Sequence, residues 1–173
     1  MPATKPKTKL ETNGTRQRIE AVASILEGYA QRGVFRGFSP AEKARQGKAV
    51  FRLLWHRDRI FEFVFDPSRN SMSFPSVLPN VSAEMHRDLK AFIKARHSAE
   101  FPEHRRVDSG KAQITTSSKG GNFAITLRVI ESDDEYGTRK LIHLVHEIFL
   151  TFLLDGRYYD YMVEHFDLDP DRF

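Results

Sequence analysis

The strongest hydrophobic pattern in the chain lies over residues 132–154. Apolar side chains recur there at steps of three and four residues, which is typical of a helix with one buried face. This face is roughly 140° wide, broader than a helix resting on a single neighbour needs. The pattern predicts a central helix that lies across a sheet and begins at a capping box formed by Ser132 and Glu135. The positions on the face are Leu141, Leu144, Val145, Ile148, Phe149 and Phe152.

Elsewhere the pattern alternates between apolar and polar residues, as it does in half-buried strands. In one strand the alternation places Phe63 with its aromatic neighbours in the core. Pro75 predicts that the strand containing it lies at a sheet edge or ends early. The run 34–38 is either a short first strand or an extended lead-in. The predicted strands cover residues 49–55, 60–65, 71–78, 112–116 and 123–130.

Two further helices follow from helical spacing. One begins at Thr15 and ends near Gly33, and the other is capped by Ser82 and carries Met85 and Leu89 on its apolar side. The predicted order is helix, three strands, helix, two strands, helix. This order belongs to the α+β class, with an antiparallel sheet packed against helices.

Length and charge suggest one domain with a polar arm. A chain of 173 residues fits a single domain, which we place over residues 15–173. Residues 1–14 are rich in Lys, Pro and Thr and are predicted to be a disordered basic arm. The formal net charge of +4 is concentrated in the first 18 residues, so the remaining chain is balanced. The cations of that stretch are Lys5, Lys7, Lys9, Arg16 and Arg18.

Composition excludes several classes of site. The chain has no cysteine, which excludes disulfides, thiolate catalysis and Cys-ligated zinc, and which fits a reducing cytoplasm. No secretory segment is visible near the N-terminus, and the longest nearly apolar run, 148–154, is far too short to span a bilayer. We therefore expect a cytoplasmic protein that does not enter a membrane.

The residues His146 and Glu147 begin a pattern found in zinc proteases but do not complete it. Leu150 stands where the second histidine should be, and leucine cannot bind a metal. His143 and His146 share a helix face and could form part of a metal site only if further ligands came from elsewhere. A polar helix face is the better interpretation. We predict no metal, no cofactor and no catalytic residues.

Several apolar residues fall outside the predicted core. Leu150 and Leu154 continue the His146 side of the central helix as a second, semi-apolar seam. Either the segment 158–162 folds back over this seam, which we favour, or another subunit covers it.

The predicted helices can cover only one face of the sheet. The other face, which carries Val64, must meet water or a partner. We therefore expect a homodimer, formed through either the helix around Met85 and Leu89 or the outer face of the sheet. The candidate interaction surface consists of Met85, Leu89, Val64, His146, Leu150 and Leu154.

The order of helices and strands over residues 15–166 resembles the small α+β domain shared by type III secretion chaperones and the YbjN-like proteins. The resemblance implies a non-enzymatic, dimeric domain that binds segments of partner proteins through its sheet and helix surfaces. Two alternatives remain open. One is a nucleic-acid-associated protein that uses the basic arm, and the other is a small enzyme with an unrecognised site.

Overall fold

The computed structural model describes residues 9–43, 47–154 and 156–166, except for the side chains of residues 9–13 and 42–43. Six strands form one antiparallel sheet in the order β1-β2-β3-β4-β6-β5. The elements are α1 (Lys9–Gln31), β1 (Gly37–Lys43), β2 (Ala49–Trp55), β3 (Arg59–Asp66), β4 (Ser71–Leu78), α2 (Ala83–Ala95), β5 (Ala112–Lys119), β6 (Asn122–Val129), α3 (Asp134–Glu147) and α4 (Tyr159–Phe166). The predicted α+β class is confirmed, with one strand more than expected.

The sheet has one buried face and one open face, because side chains alternate along each strand. Phe63 on β3 and Ile125 on β6 are completely buried, and α3 packs against β4 and β6 on that side. The strand register aligns Val64, Thr126 and Thr115 in one row across the opposite face. These three residues therefore share a face, as the alternation predicts.

The first helix begins at Lys9, so the predicted arm over residues 1–14 is wrong for residues 9–14. Residues 1–8 lie outside the part of the chain that the structure describes. Arg18 is not a tail cation, because its Nε and Nη2 donate to the Asp134 carboxylate at 2.8 and 2.9 Å. Its Nη1 also donates to the Pro67 carbonyl at 3.1 Å. Arg18 thus anchors α1 to α3 and to the turn after β3.

Both alternatives drawn from Pro75 are wrong, because β4 is a central strand between β3 and β6 and because it continues past the proline to Leu78. The ladder between β4 and β6 shifts register between Phe74 and Leu78, and the ladder between β3 and β4 extends only as far as Ser73. Pro75 therefore lies where the pairing is interrupted on both sides. A proline needs no ladder hydrogen bond at such an irregularity.

The central helix is confirmed, but its cap lies one residue later than predicted. Asp133 caps α3 by accepting a hydrogen bond from the Tyr136 N–H at 3.1 Å, whereas Ser132 donates to Asn70. The helix continues through a π-helical turn (Ile148–Phe152). After that turn α4 folds back, and its Met162 is buried.

Gly137 marks the closest approach of α3 to the sheet, and it yields a testable prediction. A Cβ atom at this position would lie 2.5 Å from the Met72 sulfur and 2.6 Å from Val129 Cγ1. At Gly28 on α1, by contrast, the nearest atom would be the flexible end of Arg32 at 3.5 Å. We expect Gly137→Ala to lower the free energy of unfolding by about 1–3 kcal/mol through overpacking. Gly28→Ala should raise it by about 0.5–1 kcal/mol through helix propensity.

Urea denaturation of the two variants measures these opposite signs directly. Stabilisation by both alanines would show that α3 lies farther from β4 and β6 than the structure places it.

Candidate functional site

The two edges of the sheet differ in how well they could accept another strand. Strand β1 contains Pro40, and its pairing with β2 is irregular between Ser39 and Glu42. Strand β5 has no proline and keeps an unbroken register with β6 along all eight of its residues. Proline and irregular pairing are common devices that protect an edge strand from pairing with another chain. The edge of β5 lacks both of these devices.

The backbone of β5 presents hydrogen-bonding groups away from the sheet. In an antiparallel pair, alternate residues direct their N–H and C=O groups outward. Two hydrogen bonds at the start of the strand show which residues point outward. The Ile130 N–H donates to the Lys111 carbonyl at 3.0 Å, so Lys111 faces β6. The Ala112 N–H donates to the Asp108 carbonyl at 3.0 Å, so Ala112 faces away from β6. Ile114 and Thr116 are in phase with Ala112. Their backbone groups therefore point off the edge of the sheet.

A groove of about 410 Å³ lies between this edge and α2, and we call it the β5 groove. Ile93 and Ile114 supply apolar surface from the two sides. Cationic and titratable side chains come from α2 and the chain just after it, at steps of three and four residues that place them along one line of the helix. They are Lys90, Lys94 and His97.

His86 fixes α2 relative to β5. Its Nε2 lies 3.1 Å from Thr116 Oγ1, and its Nδ1 lies 3.0 Å from Ser118 Oγ. Burial and the nearby charge of Lys90 lower the pKa of His86. The imidazole is therefore neutral near pH 7 and can donate to one hydroxyl while it accepts from the other. This bridge holds the two walls of the groove in place.

The electrostatics of the β5 groove favour an acidic ligand. No acidic side chain lines it. Within the part of the chain that the structure describes, neither Lys90 nor Lys94 has a carboxylate within ion-pair distance. A groove with cationic side chains, apolar patches and an open strand edge suits an extended segment that carries negative charge.

A largely buried ion-pair cluster holds the loop 97–111, whose first residue lines the groove. The carboxylate of Glu147 accepts from Arg96 at 2.5 Å and from Arg105 at 2.7 Å. The Arg96 guanidinium also lies over the rings of Phe92 and Phe101, at 4.1 and 4.3 Å from their centroids. Burial alone would raise the pKa of Glu147, but the hydrogen bonds and charges of the two arginines outweigh it and lower the pKa.

The six residues predicted as an interaction surface do not form one surface. Met85 and Leu89 are buried in the core beneath α2, so their assignment to a surface is wrong. The helix needs those apolar side chains to pack against the sheet. Val64 lies half-buried on the open face, and His146 is half-buried against Trp55. Leu150 and Leu154 are more than half exposed, at 52% and 58%.

The segment after α3 folds back as favoured, but it covers different residues. The ring of Phe166 packs on Phe149, and Tyr158 stacks on Phe152. These contacts bury the core side of the π-helical turn. They leave Leu150 uncovered within the subunit.

His146 faces a second histidine that the sequence did not connect with it. His146 Nδ1 lies 3.4 Å from His56 Nε2, and His56 stacks on the ring of Phe149. Burial, with smaller contributions from the charges of His146 and Arg57, lowers the pKa of His56 to about 3. His143 is exposed on α3. Among the described residues, no group of three or more histidines and carboxylates is placed to hold a metal ion.

The depressed pKa of His56 predicts acid sensitivity. Between pH 6.5 and 3 the unfolded chain binds a proton that the folded chain does not, so stability falls as the pH falls through this window. Because the imidazole is partly exposed, solvent screening reduces the change in the free energy of unfolding, which we place at about 1 kcal/mol per pH unit. The loss between pH 7.5 and 5 should be about 1–2 kcal/mol smaller in His56→Gln than in the wild type.

Urea denaturation at the two pH values measures the difference, and the exposed His104→Gln is the matched control. An unchanged pH dependence in His56→Gln would contradict this assignment.

No protein family, curated protein or solved structure matches this chain. No described helix is long and apolar enough to cross a membrane.

Proposed function

We propose that this protein is a non-enzymatic protein-binding domain in which an extended acidic segment of a partner protein adds as a strand to the edge of β5. The observation that carries the proposal is the uninterrupted edge of β5 beside a cationic groove. The order of elements that the sequence predicts resembles that of type III secretion chaperones and YbjN-like proteins, and this resemblance supports the same class of function.

The two parts of the site would contribute differently to recognition. Hydrogen bonds to the outward N–H and C=O groups of Ile114 and Thr116 give affinity for any extended backbone. Specificity comes from side chains, because every second residue of an added strand faces the groove. Acidic residues there meet Lys90 and Lys94, and apolar residues meet Ile93. We therefore expect recognised segments to carry acidic or β-branched residues at every second position, where the side chains face the groove. The positions between them face solvent.

A selection from a random peptide library tests this proposal. Peptides captured by the wild-type protein should be enriched in Asp and Glu and depleted in Pro. The double variant Lys90→Glu/Lys94→Glu should bind the selected peptides at least tenfold more weakly, measured by calorimetry at moderate salt. Arg87→Glu is the control for the single variants Lys90→Glu and Lys94→Glu, because it makes the same charge change as either of them on an exposed part of α2 outside the groove lining.

Equal weakening by Arg87→Glu would show that only long-range charge matters. Peptides without acidic residues, or no captured peptides at all, would refute the proposal.

We also propose that the expected homodimer forms through the open face of the sheet. Val50 pairs with Val64 and Leu54 pairs with Ile60 across β2 and β3, and Ile60 is 68% exposed. The ion pair between Arg52 and Glu62 lies between these two apolar pairs, at 4.0 Å. A patch with both signs of charge at its centre is self-complementary, as a two-fold interface requires. Met85 and Leu89, around which the alternative interface was expected, are buried within the subunit, so this proposal uses the open face instead.

Light scattering at micromolar concentration should report about twice the chain mass of 20.0 kDa. Ile60→Asp should give the monomer mass, because it places an unpaired charge in an apolar part of the desolvated patch. Ile130→Asp, at a site of 49% exposure just after β6, should remain dimeric. A wild-type monomer at this concentration would contradict the dimer.

A further inference from the structure

A second cleft lies apart from the β5 groove, on the side of the loop 97–111 that faces α3. It has a volume of about 540 Å³, and we call it the Tyr136 cleft. Its lining includes three side chains that are cationic at pH 7, two from the end of the loop 97–111 and one from α3. They are Arg106 from the loop, Lys111 just before β5 and Lys140 on α3.

Tyr136 organises the cleft. The centroid of its ring lies 5.1 Å from Lys111 Nζ and 5.5 Å from Lys140 Nζ. Its hydroxyl oxygen accepts a hydrogen bond from the Asp108 N–H at 2.9 Å. Lys140 Nζ also donates to the carbonyl of Glu103 at 2.7 Å. Neutral groups, the Tyr136 ring and the Glu103 carbonyl, therefore position the two ammonium groups.

Two carboxylates, Glu103 and Asp108, also line the cleft, so its three cations exceed its acidic side chains by one. In the described part of the chain, no carboxylate lies within ion-pair distance of Arg106, Lys111 or Lys140. The carboxylate of Asp108 accepts the Gly110 N–H at 2.9 Å. Burial, together with the charges of Arg106 and Lys111, lowers the pKa of Lys140 although Glu103 acts in the opposite direction. Bringing these cations together costs free energy that a bound anion would recover.

We infer that the Tyr136 cleft binds the phosphate group of a small soluble ligand through Arg106, Lys111 and Lys140. Arginine matches the geometry of phosphate oxygens through paired N–H groups, and lysine adds charge from a flexible stem. The Tyr136 hydroxyl, which already accepts a hydrogen bond, still has its own hydrogen to donate to a phosphate oxygen. A diphosphate offers oxygens to all three cations at once, whereas a simple carboxylate has only two oxygens.

Titration calorimetry with inorganic pyrophosphate at low ionic strength tests this inference. We expect one site per chain in the wild type. Lys111→Gln and Lys140→Gln should each weaken binding at least tenfold, and Tyr136→Phe should weaken it to a smaller extent because only the hydroxyl is lost. Glu103→Gln should strengthen binding, because it removes a nearby negative charge that competes with the ligand. A purely structural role for Glu103 would not produce this gain.

Lys94→Gln in the β5 groove is the matched control, and its affinity for pyrophosphate should equal that of the wild type. Because Lys111 is exposed, its variant keeps the test valid even if Lys140→Gln folds poorly. The inference is overturned if pyrophosphate does not bind at millimolar concentration or if Lys94→Gln weakens it equally. It is also overturned if citrate, a carboxylate of comparable charge, binds as tightly. These outcomes do not depend on peptide binding to β5.

Discussion

Glu147→Ala should lower the free energy of unfolding by about 3–5 kcal/mol, the usual loss when one partner of a buried ion pair is removed. The side chain of Arg96 is only 5% exposed, and Glu147 is its one carboxylate partner within the described residues. Without that carboxylate the guanidinium is left charged and buried between aromatic rings. Arg105 also loses its attachment, so the loop 97–111 should become accessible to proteases. Urea denaturation and limited proteolysis measure the two effects.

The control for this variant is Glu135→Ala, also on α3. Glu135 accepts from Arg139 at 3.1 Å, but its side chain is 65% exposed. Exposed pairs of this kind contribute about 0–1 kcal/mol. Similar losses in the two variants would show that the cluster around Glu147 is not desolvated as the structure indicates.

Phe63→Ala should lower the free energy of unfolding by a similar amount, about 3–5 kcal/mol, because it opens a cavity in the centre of the core. Phe63 is completely buried, and its ring packs edge-on against Phe51 and Phe74, with centroids 6.2 and 5.4 Å away. These neighbours sit on adjacent strands and are themselves fully buried, so they have little freedom to fill the space. Chemical denaturation gives the loss directly.

The variant Gln113→Ala provides the comparison, because Gln113 is exposed on the other face of the sheet, on β5 and away from the proposed dimer patch. Its effect should stay within about 0.5 kcal/mol. A loss below about 1 kcal/mol for Phe63→Ala would mean that the alternation along β3 has been assigned to the wrong face.

The sequence predicts those parts of the fold where periodicity reports burial. Residues 71–78 are predicted as a strand and form β4 with the same bounds. The face of α3 is also predicted, because Leu141 and its apolar neighbours must all meet the sheet. Strand β1 is predicted poorly, because its Gly37–Lys43 sequence contains a proline and only one large apolar residue. The first turns of α1 are missed for a similar reason, since residues 9–14 carry one large apolar side chain, Leu10.

Strand order and helix contacts are not local properties, and this limits what the sequence says about the site. The spacing of Lys90, Lys94 and His97 is visible in the sequence, but it does not show that this line of α2 faces a strand edge. The apolar spacing of Met85 and Leu89 likewise does not show whether the sheet or a partner covers them. The Tyr136 cleft draws on two distant segments, the loop 97–111 and α3, so only the folded chain brings its cations together.

Amide hydrogen exchange on β5, measured by NMR with and without a selected acidic peptide, tests the proposed function most directly. The N–H groups of Ile114 and Thr116 point off the edge and should exchange quickly in the free protein. The Thr115 N–H points to β6 and should be protected in both states. Strand addition predicts that the peptide slows exchange at Ile114 and Thr116 while Thr115 stays unchanged. If the peptide binds tightly and leaves the exchange of both outward amides unchanged, the edge of β5 is not the binding site.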